Sequence, residues 1–304
     1  MLIESNSSHT SWPCHSLSGH GFLDLTSGAE LARQMRQDAL IIQAMGGLFP
    51  EHPDLSQVER VLDIACGPGE WALEMAFTYP EIEVVGIDPG EHMVAYARAQ
   101  AKVQGLHNVS FQVMDIVKPL QFPANSFDIV NAHMIAPYLS CEHWGCVVKE
   151  FMRVVRPGGM LRLTECDEPG RSNSLAYETL KQLYGRAFSR NGQSFHPFPD
   201  GPHICITPLL KQFVREAGGI HAHQKIHILN YSAQERAFLS NYENLKVLYK
   251  LGQPFLLKMG VATQEQVDRL YEQMLIDMLS DDFCGLWYFL TVCAEKPASH
   301  LLPF

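Results

Sequence analysis

Nowhere in these 304 residues do lysine and arginine bunch: the 23 of them are scattered against 33 acids, for a net charge of −10. Nucleic acid is therefore not an expected partner, because backbone binding needs a basic footprint to displace counterions. Long apolar runs are missing too. The longest fall far short of the roughly 20 residues that a membrane span requires, so no membrane partner is expected. The opening stretch, MLIESNSSHTSWPCHS, has no apolar core after a basic start and does not read as a signal peptide. Residues 1–20 are polar and Ser-rich and are expected to be frayed or disordered, with a cytoplasmic location for the protein. The 8 cysteines then read as reduced thiols, several inside apolar runs. Cys141, His143 and Cys146 lack a second ligand cluster at suitable spacing, so no metal centre is expected. Internal repeats are absent as well.

What is present is ordinary globular material, 46% hydrophobic and 18% charged, enough for a sizeable core. From Gly28 to Leu48 the apolar residues Leu31, Met35, Ile41, Ile42 and Met45 recur at helical spacing, and Gly46-Gly47 with Pro50 ends the run. Short buried strands then alternate with helical segments. RVLDIA, EVVGI, VSFQV, FDIVN and MLRLT read as five strands, with helices at WALEMAFTY, HMVAYARAQAKVQG and about Cys141 to Val155. A sixth strand is expected at HQKIHILNY, helices near 233–251 and 263–280, and a last strand at LWYFLTVCAEK. The alternation predicts an α/β fold with parallel pairing and right-handed crossovers. The expected division is N-terminal lid helices over 21–55 and a catalytic domain over 56–304. A cap insert is expected at about 168–230, between strands five and six.

Chemistry concentrates in the turn Asp63-Ile64-Ala65-Cys66-Gly67-Pro68-Gly69, which follows a strand and opens a helix. Glycine lets backbone approach a ligand there, and the helix start offers free N–H groups. Gly67-x-Gly69-x-x-Ala72 also satisfies a dinucleotide fingerprint, with Asp88 near the position for an acid that takes two ribose hydroxyls. Three features lean away from a dinucleotide. Asp63, just ahead of the turn, suits a cationic amino group or turn amides better than a pyrophosphate. Met114-Asp115-Ile116 offers an acid to an adenine amino group between two apolar neighbours. FPANSFDIVNAH and FMRVVRPGGMLRLTE lead into the fourth and fifth strands.

In order, these segments resemble the class I S-adenosylmethionine-dependent methyltransferases, in particular the UbiE-like small-molecule branch, over about 105 residues. The segment AELARQMRQD is similar to that group's N-terminal lid helix. The resemblance implies a Rossmann-like, seven-stranded, mostly parallel sheet with helices on both faces, and S-adenosyl-L-methionine as cofactor. It places Asp63, Ala65, Gly67 and Gly69 around the methionine part and Asp88 at the ribose, with Pro89 and Met93 nearby. Asp115 meets the adenine amino group, with Met114 and Ile116 against the ring. Gln37 or Arg33 reaches the cofactor carboxylate. The chain departs from the family pattern at Ala65, where a glycine is usual, and alanine there is expected to need an ordinary backbone conformation.

Methyl transfer from a sulfonium needs alignment and water exclusion, and a base only if the nucleophile must lose a proton. His133, just after the fourth strand, is the first candidate base and also a cofactor-site residue; His203, Glu165 and Tyr138 follow. Phe188, Phe195, His196, Phe198 and His203 suggest an aromatic cap over the site. Such a cap suits an apolar, aromatic or prenyl-like acceptor of secondary metabolism, or a cation held by ring faces. His221, His223 and His227 read as one exposed sheet face. Two other functions fit the same residues: a protein that binds S-adenosylmethionine for non-methylating chemistry, and an NAD-dependent oxidoreductase. The apolar C-terminal strand and helices leave room for a homodimer.

Overall fold

The computed structural model describes residues 22–24, 26–52 and 54–298. The expected frayed segment 1–20 lies outside them. Helix α1 (Gly28–Met45) comes first and ends on Gly46, whose φ of 87° gives a left-handed cap. There follow β1 (Arg60–Ile64), α2 (Glu70–Thr78), β2 (Glu83–Asp88), α3 (Glu91–Val103), β3 (Val109–Val113) and β4 (Phe127–His133). Next come α4 (Trp144–Val154), β5 (Val155–Glu165), a two-residue β6 (Arg171–Ser172), α5 (Leu175–Arg190) and α6 (Leu210–Glu216). The chain closes with β7 (Ile220–Asn230), α7 (Phe238–Leu251), α8 (Gln253–Lys258), α9 (Gln264–Met278) and β8 (Gly285–Glu295).

The sheet runs β3-β2-β1-β4-β5-β8, parallel up to β5; β8 then lies antiparallel to both β5 and the edge strand β7. The seven expected strands become eight because β6 pairs briefly with Gly285 and Leu286. Both faces are covered, as a parallel sheet requires. Val61, Val84 and Ile129 feed the core beneath α2 and α3, while their neighbours Leu62, Val85 and Val130 feed the core on the other face. Among the described residues no helix is long and apolar enough to cross a membrane.

Two departures bear on the site. Within the expected insert, Leu175–Arg190 is a 16-residue helix with Ser174 as N-cap. Residues 21–55 hold one described helix rather than several. Helix α1 packs on α7, and α5 on α9, so helices from both ends of the chain meet above the strand ends.

Candidate active site

Two cavities adjoin above the C-terminal ends of β1, β2 and β4. The first, about 940 Å³, lies between α1 and the strand ends. Of the predicted residues, Gln37, Ala65, Gly67, Asp88, Pro89, Met93, Asp115, Ile116 and His133 line it, together with Arg33 and Tyr138. The sequence reading missed Gln34, Asp38, Met134 and Ile135, which also line it. The second cavity, about 750 Å³, is walled by aromatic rings: Phe22, Tyr138, Tyr184, Phe188, Tyr249 and Trp287. Arg33, Gln37, Met134 and Tyr138 border both.

The loop after β1 holds three positive-φ residues, Ala65, Gly67 and Gly69. Gly67 has φ 53°, the left-handed region that favours glycine, and a Cβ there would come within 2.6 Å of the end of the Gln34 side chain. Ala65 has φ 54°, the left-handed region, which corrects the expectation of an ordinary backbone there. That conformation costs a non-glycine residue on the order of 1–2 kcal/mol. Met134, after β4, is held the same way at φ 54°. Strained residues at the mouths of both cavities are a signature of functional sites. Gly69 is a different case. It caps α2, and a Cβ there would meet Ala97 and the Phe111 ring, so its smallness serves packing rather than a ligand.

Carboxylates dominate the first cavity. Asp88 is 7% exposed and accepts from the Gly67 N–H at 3.0 Å and the Gly90 N–H at 2.8 Å. Burial raises its pKa, against those two hydrogen bonds. Asp115 accepts from Val117 N–H and pairs with the exposed Lys118 at 3.4 Å. Asp63 does not line the cavity but sits fully buried below it, accepting from the Asn131 side chain at 2.8 Å, with Oδ2 lacking a hydrogen bond. Burial pushes its pKa up to about 7, against His133 and the Asn131 bond. Asn131 in turn accepts from Arg162, which reaches Glu51, and Glu51 pairs with His227. This buried polar chain fixes Asp63 from behind.

His133 pairs with Asp38 of α1 at 3.2 Å. Burial opposes its charge, but the Asp38 hydrogen bond and the charges of Asp38 and Asp63 outweigh that and push the pKa up to about 9. That shift favours the charged imidazole, and with Asp38 on its Nε2 the residue is placed as an ion-pair partner of α1. Glu165 lies under the site, accepting from Ile135 N–H at 2.8 Å and Ala136 N–H at 3.4 Å, so it holds the turn after β4. Burial pushes it up to about 8. His203 lies outside both linings and pairs with Glu168 at 3.2 Å. Tyr138 is at the junction; burial, with Glu30 and Asp88, raises its pKa and keeps the phenol protonated. Met114 is buried beside the first cavity without lining it. Arg33 is committed to Glu30 at 2.7 Å, Gln37 at 2.6 Å and Asn244 at 3.1 Å, which leaves little of it for a ligand.

Only part of the expected aromatic cap forms. Phe188 lines the second cavity, whereas Phe198 is 70% exposed and Phe195 packs on Phe213. His221 and His223 are exposed, but His227 is buried against Glu51 and Thr291, a correction to the single exposed histidine face. Among the described residues no group of His, Cys, Asp and Glu could hold a metal ion. Cys66, Cys141, Cys166, Cys205, Cys284 and Cys293 are free thiols.

Residues 61–159 match the methyltransferase-domain family. An uncharacterised methyltransferase of Schizosaccharomyces pombe is 34% identical over 119 residues, 37% of this chain and 42% of that protein. A demethylmenaquinone methyltransferase of Geobacillus kaustophilus is 34% identical over 133 residues, 42% of this chain and 53% of its own length. The chain thus matches about half the length of these relatives. A Haemonchus contortus phosphoethanolamine N-methyltransferase 2 structure superposes with a TM-score of 0.52 at 17% identity, covering 91% of this chain and 61% of that one. That likeness is one of fold. Residues 61–159 are thus similar to a methyltransferase domain, and they lie on a Rossmann-like, mostly parallel α/β sheet.

Proposed function

We propose that the protein is an S-adenosylmethionine-dependent methyltransferase acting on a small, largely apolar or aromatic acceptor. The observation that carries this reading is the pairing of an acid-lined cavity with an aromatic one, meeting at Met134 and Tyr138. Asp88 and Asp115 offer carboxylates to a cationic ligand in the first cavity, where Asp38 is paired with His133. The pyrophosphate of a nicotinamide dinucleotide would face these same carboxylates with like charge, which disfavours the oxidoreductase alternative. The residues fit the adenosyl cofactor: Asp88 for the ribose diol, Asp115 for the adenine amino group, and Pro89, Met93 and Ile116 as apolar contacts.

When bound, the cofactor supplies an electrophilic methyl group on a positively charged sulfur. The chain's own work is to align and to exclude water. Helix α1 covers the cofactor cavity through Gln34, Gln37 and Asp38, and Met134 and Tyr138 form the passage to the acceptor. His133, paired with Asp38, acts as a fixed cation that anchors the lid rather than as a base.

Isothermal titration of wild type and Asp88→Ala with S-adenosylmethionine, S-adenosylhomocysteine and NADH tests the reading. Micromolar binding of both adenosyl ligands, lost in Asp88→Ala and absent for NADH, is expected. Tight NADH binding without an adenosyl response would overturn it. Cofactor binding with no S-adenosylhomocysteine released across an acceptor screen would favour the non-methylating alternative.

A further inference from the structure

The walls of the aromatic cavity carry charged groups, yet those groups are already matched. Asp167 accepts from the Thr207 N–H at 2.9 Å and from its hydroxyl. Glu168 is shared among Arg171 at 2.6 Å, Lys181 at 3.2 Å and His203 at 3.2 Å. Lys181 donates to the Gly170 carbonyl and Glu178. Glu168 Oε2 makes no hydrogen bond, yet its charge is balanced by these cations, so neither a cationic nor an anionic guest meets an unpaired charge on the wall.

What remains unmatched is a set of neutral donors. The Trp287 indole N–H is buried, with no hydrogen bond, and meets only the Cys166 sulfur, a weak acceptor. The Tyr249 hydroxyl is also buried, and its one hydroxyl neighbour, Tyr177, is already engaged, accepting from Tyr231 at 3.3 Å and donating to the Pro169 carbonyl at 2.6 Å. Tyr138, half-buried at the junction with the cofactor cavity, offers a third donor. Trp287 and Tyr249 are each 2% exposed. Buried donors of this kind are costly unless a partner arrives.

Building on the methyltransferase reading, we infer that the aromatic cavity selects a neutral ring compound whose carbonyl or ether oxygens accept hydrogen bonds from Trp287, Tyr249 and Tyr138. The rings of Tyr184 and Phe188 supply the apolar contact, and the three donors fix which edge of the guest faces the cofactor cavity. Discrimination comes from the donors, because a site built to hydrogen-bond an oxygen is left with unpaired polar groups when the guest lacks one.

Three probes of similar size test this by equilibrium dialysis: acetonaphthone, ethylnaphthalene and naphthylmethyl-trimethylammonium. Acetonaphthone is expected to bind at least about fivefold more tightly than ethylnaphthalene, the worth of one net hydrogen bond. That preference should shrink in Trp287→Phe and Tyr249→Phe while ethylnaphthalene affinity stays level. Tyr138→Phe, at a half-buried position, provides a third variant with little risk to folding. Equal binding of the ketone and the hydrocarbon, tightest binding of the ammonium, or variants that weaken all probes alike would each overturn the inference. S-adenosylhomocysteine titrated in parallel separates the two readings. Probe discrimination without adenosyl binding would uphold the donor assignment and refute the methyltransferase; adenosyl binding without discrimination would do the reverse.

Discussion

Replacing Asp38 by Asn should change the stability of this protein in a pH-dependent way that no surface ion pair could match. His133 is 9% exposed and its pKa is raised from 6.5 to about 9, chiefly by Asp38 once the opposing effect of burial is overcome. At 1.36 kcal/mol per unit, that shift amounts to about 3 kcal/mol of interaction with the charged imidazole. The folded-state pKa lies above the unfolded one. The contribution is therefore complete below about pH 6.5 and disappears as pH rises through about 9. Asp63 and Glu165, raised to about 7 and about 8, also favour the folded state toward acid; Asp63 feels both Asp38 and His133 and Glu165 feels His133, so the substitution moves their titrations as well.

Thermal unfolding of wild type and Asp38→Asn at pH 6, 7.5 and 9.5 makes the measurement. At pH 6 the variant should melt roughly 6 °C lower, taking about 2 °C per kcal/mol for a chain of this size. By pH 9.5 the two curves should approach each other, because wild type has lost its imidazolium. A gap of constant size at every pH would refute the reasoning, since it would mean that Asp38 acts through packing or helix geometry rather than through a charged His133. A gap that widens toward alkali would refute it more directly, by reversing the sign.

Two further substitutions probe the framework around the site. Ala65→Gly relieves a left-handed φ of 54° and should raise stability by about 0.5–1 kcal/mol in denaturant unfolding; a loss would show that the alanine methyl is worth more in packing than its backbone costs. Glu51→Gln breaks a pair in which both Glu51 and Arg162 are 1% exposed, and should cost about 3 kcal/mol by leaving Arg162 uncompensated. Glu51 itself is held at about 2 by His227 and Arg162 against the effect of burial, so the wild-type advantage should fade as pH drops from about 4.5 toward 2.

The strands of the sheet were legible because a buried parallel strand has a short-range signature: a brief apolar run, a glycine turn, then helical spacing. The glycine loop and Asp88 were legible for the same reason, since their geometry is set within a few residues. Helix Leu175–Arg190 was hidden by its neighbourhood. The Pro- and His-rich run just after it gives the whole region the look of a loop, and the Ser174 cap that starts the helix is a weak mark on its own. His227 shares strand parity with His223, and nothing in the alternation tells that Glu51 covers one end of that face and leaves the other open.

Asp38 shows where the sequence runs out for a stronger reason. It sits on an amphipathic helix among Gln34, Gln37 and Arg33, where any polar residue reads as a solvated face. Its partner, His133, is 95 residues away at the end of β4, and only tertiary packing brings the two within 3.2 Å. That encounter favours the charged form of the most attractive base in the sequence. The residue's chemistry is decided by a neighbour that no local pattern names. The same holds for the aromatic cavity, where Trp287 of β8, Tyr249 of α7 and Tyr138 after β4 converge from distant parts of the chain. A cofactor site made by one loop and the strand ends beside it can be read from spacing. An acceptor site assembled from three remote elements is a product of the fold, so its selectivity can differ widely between chains that share the loop.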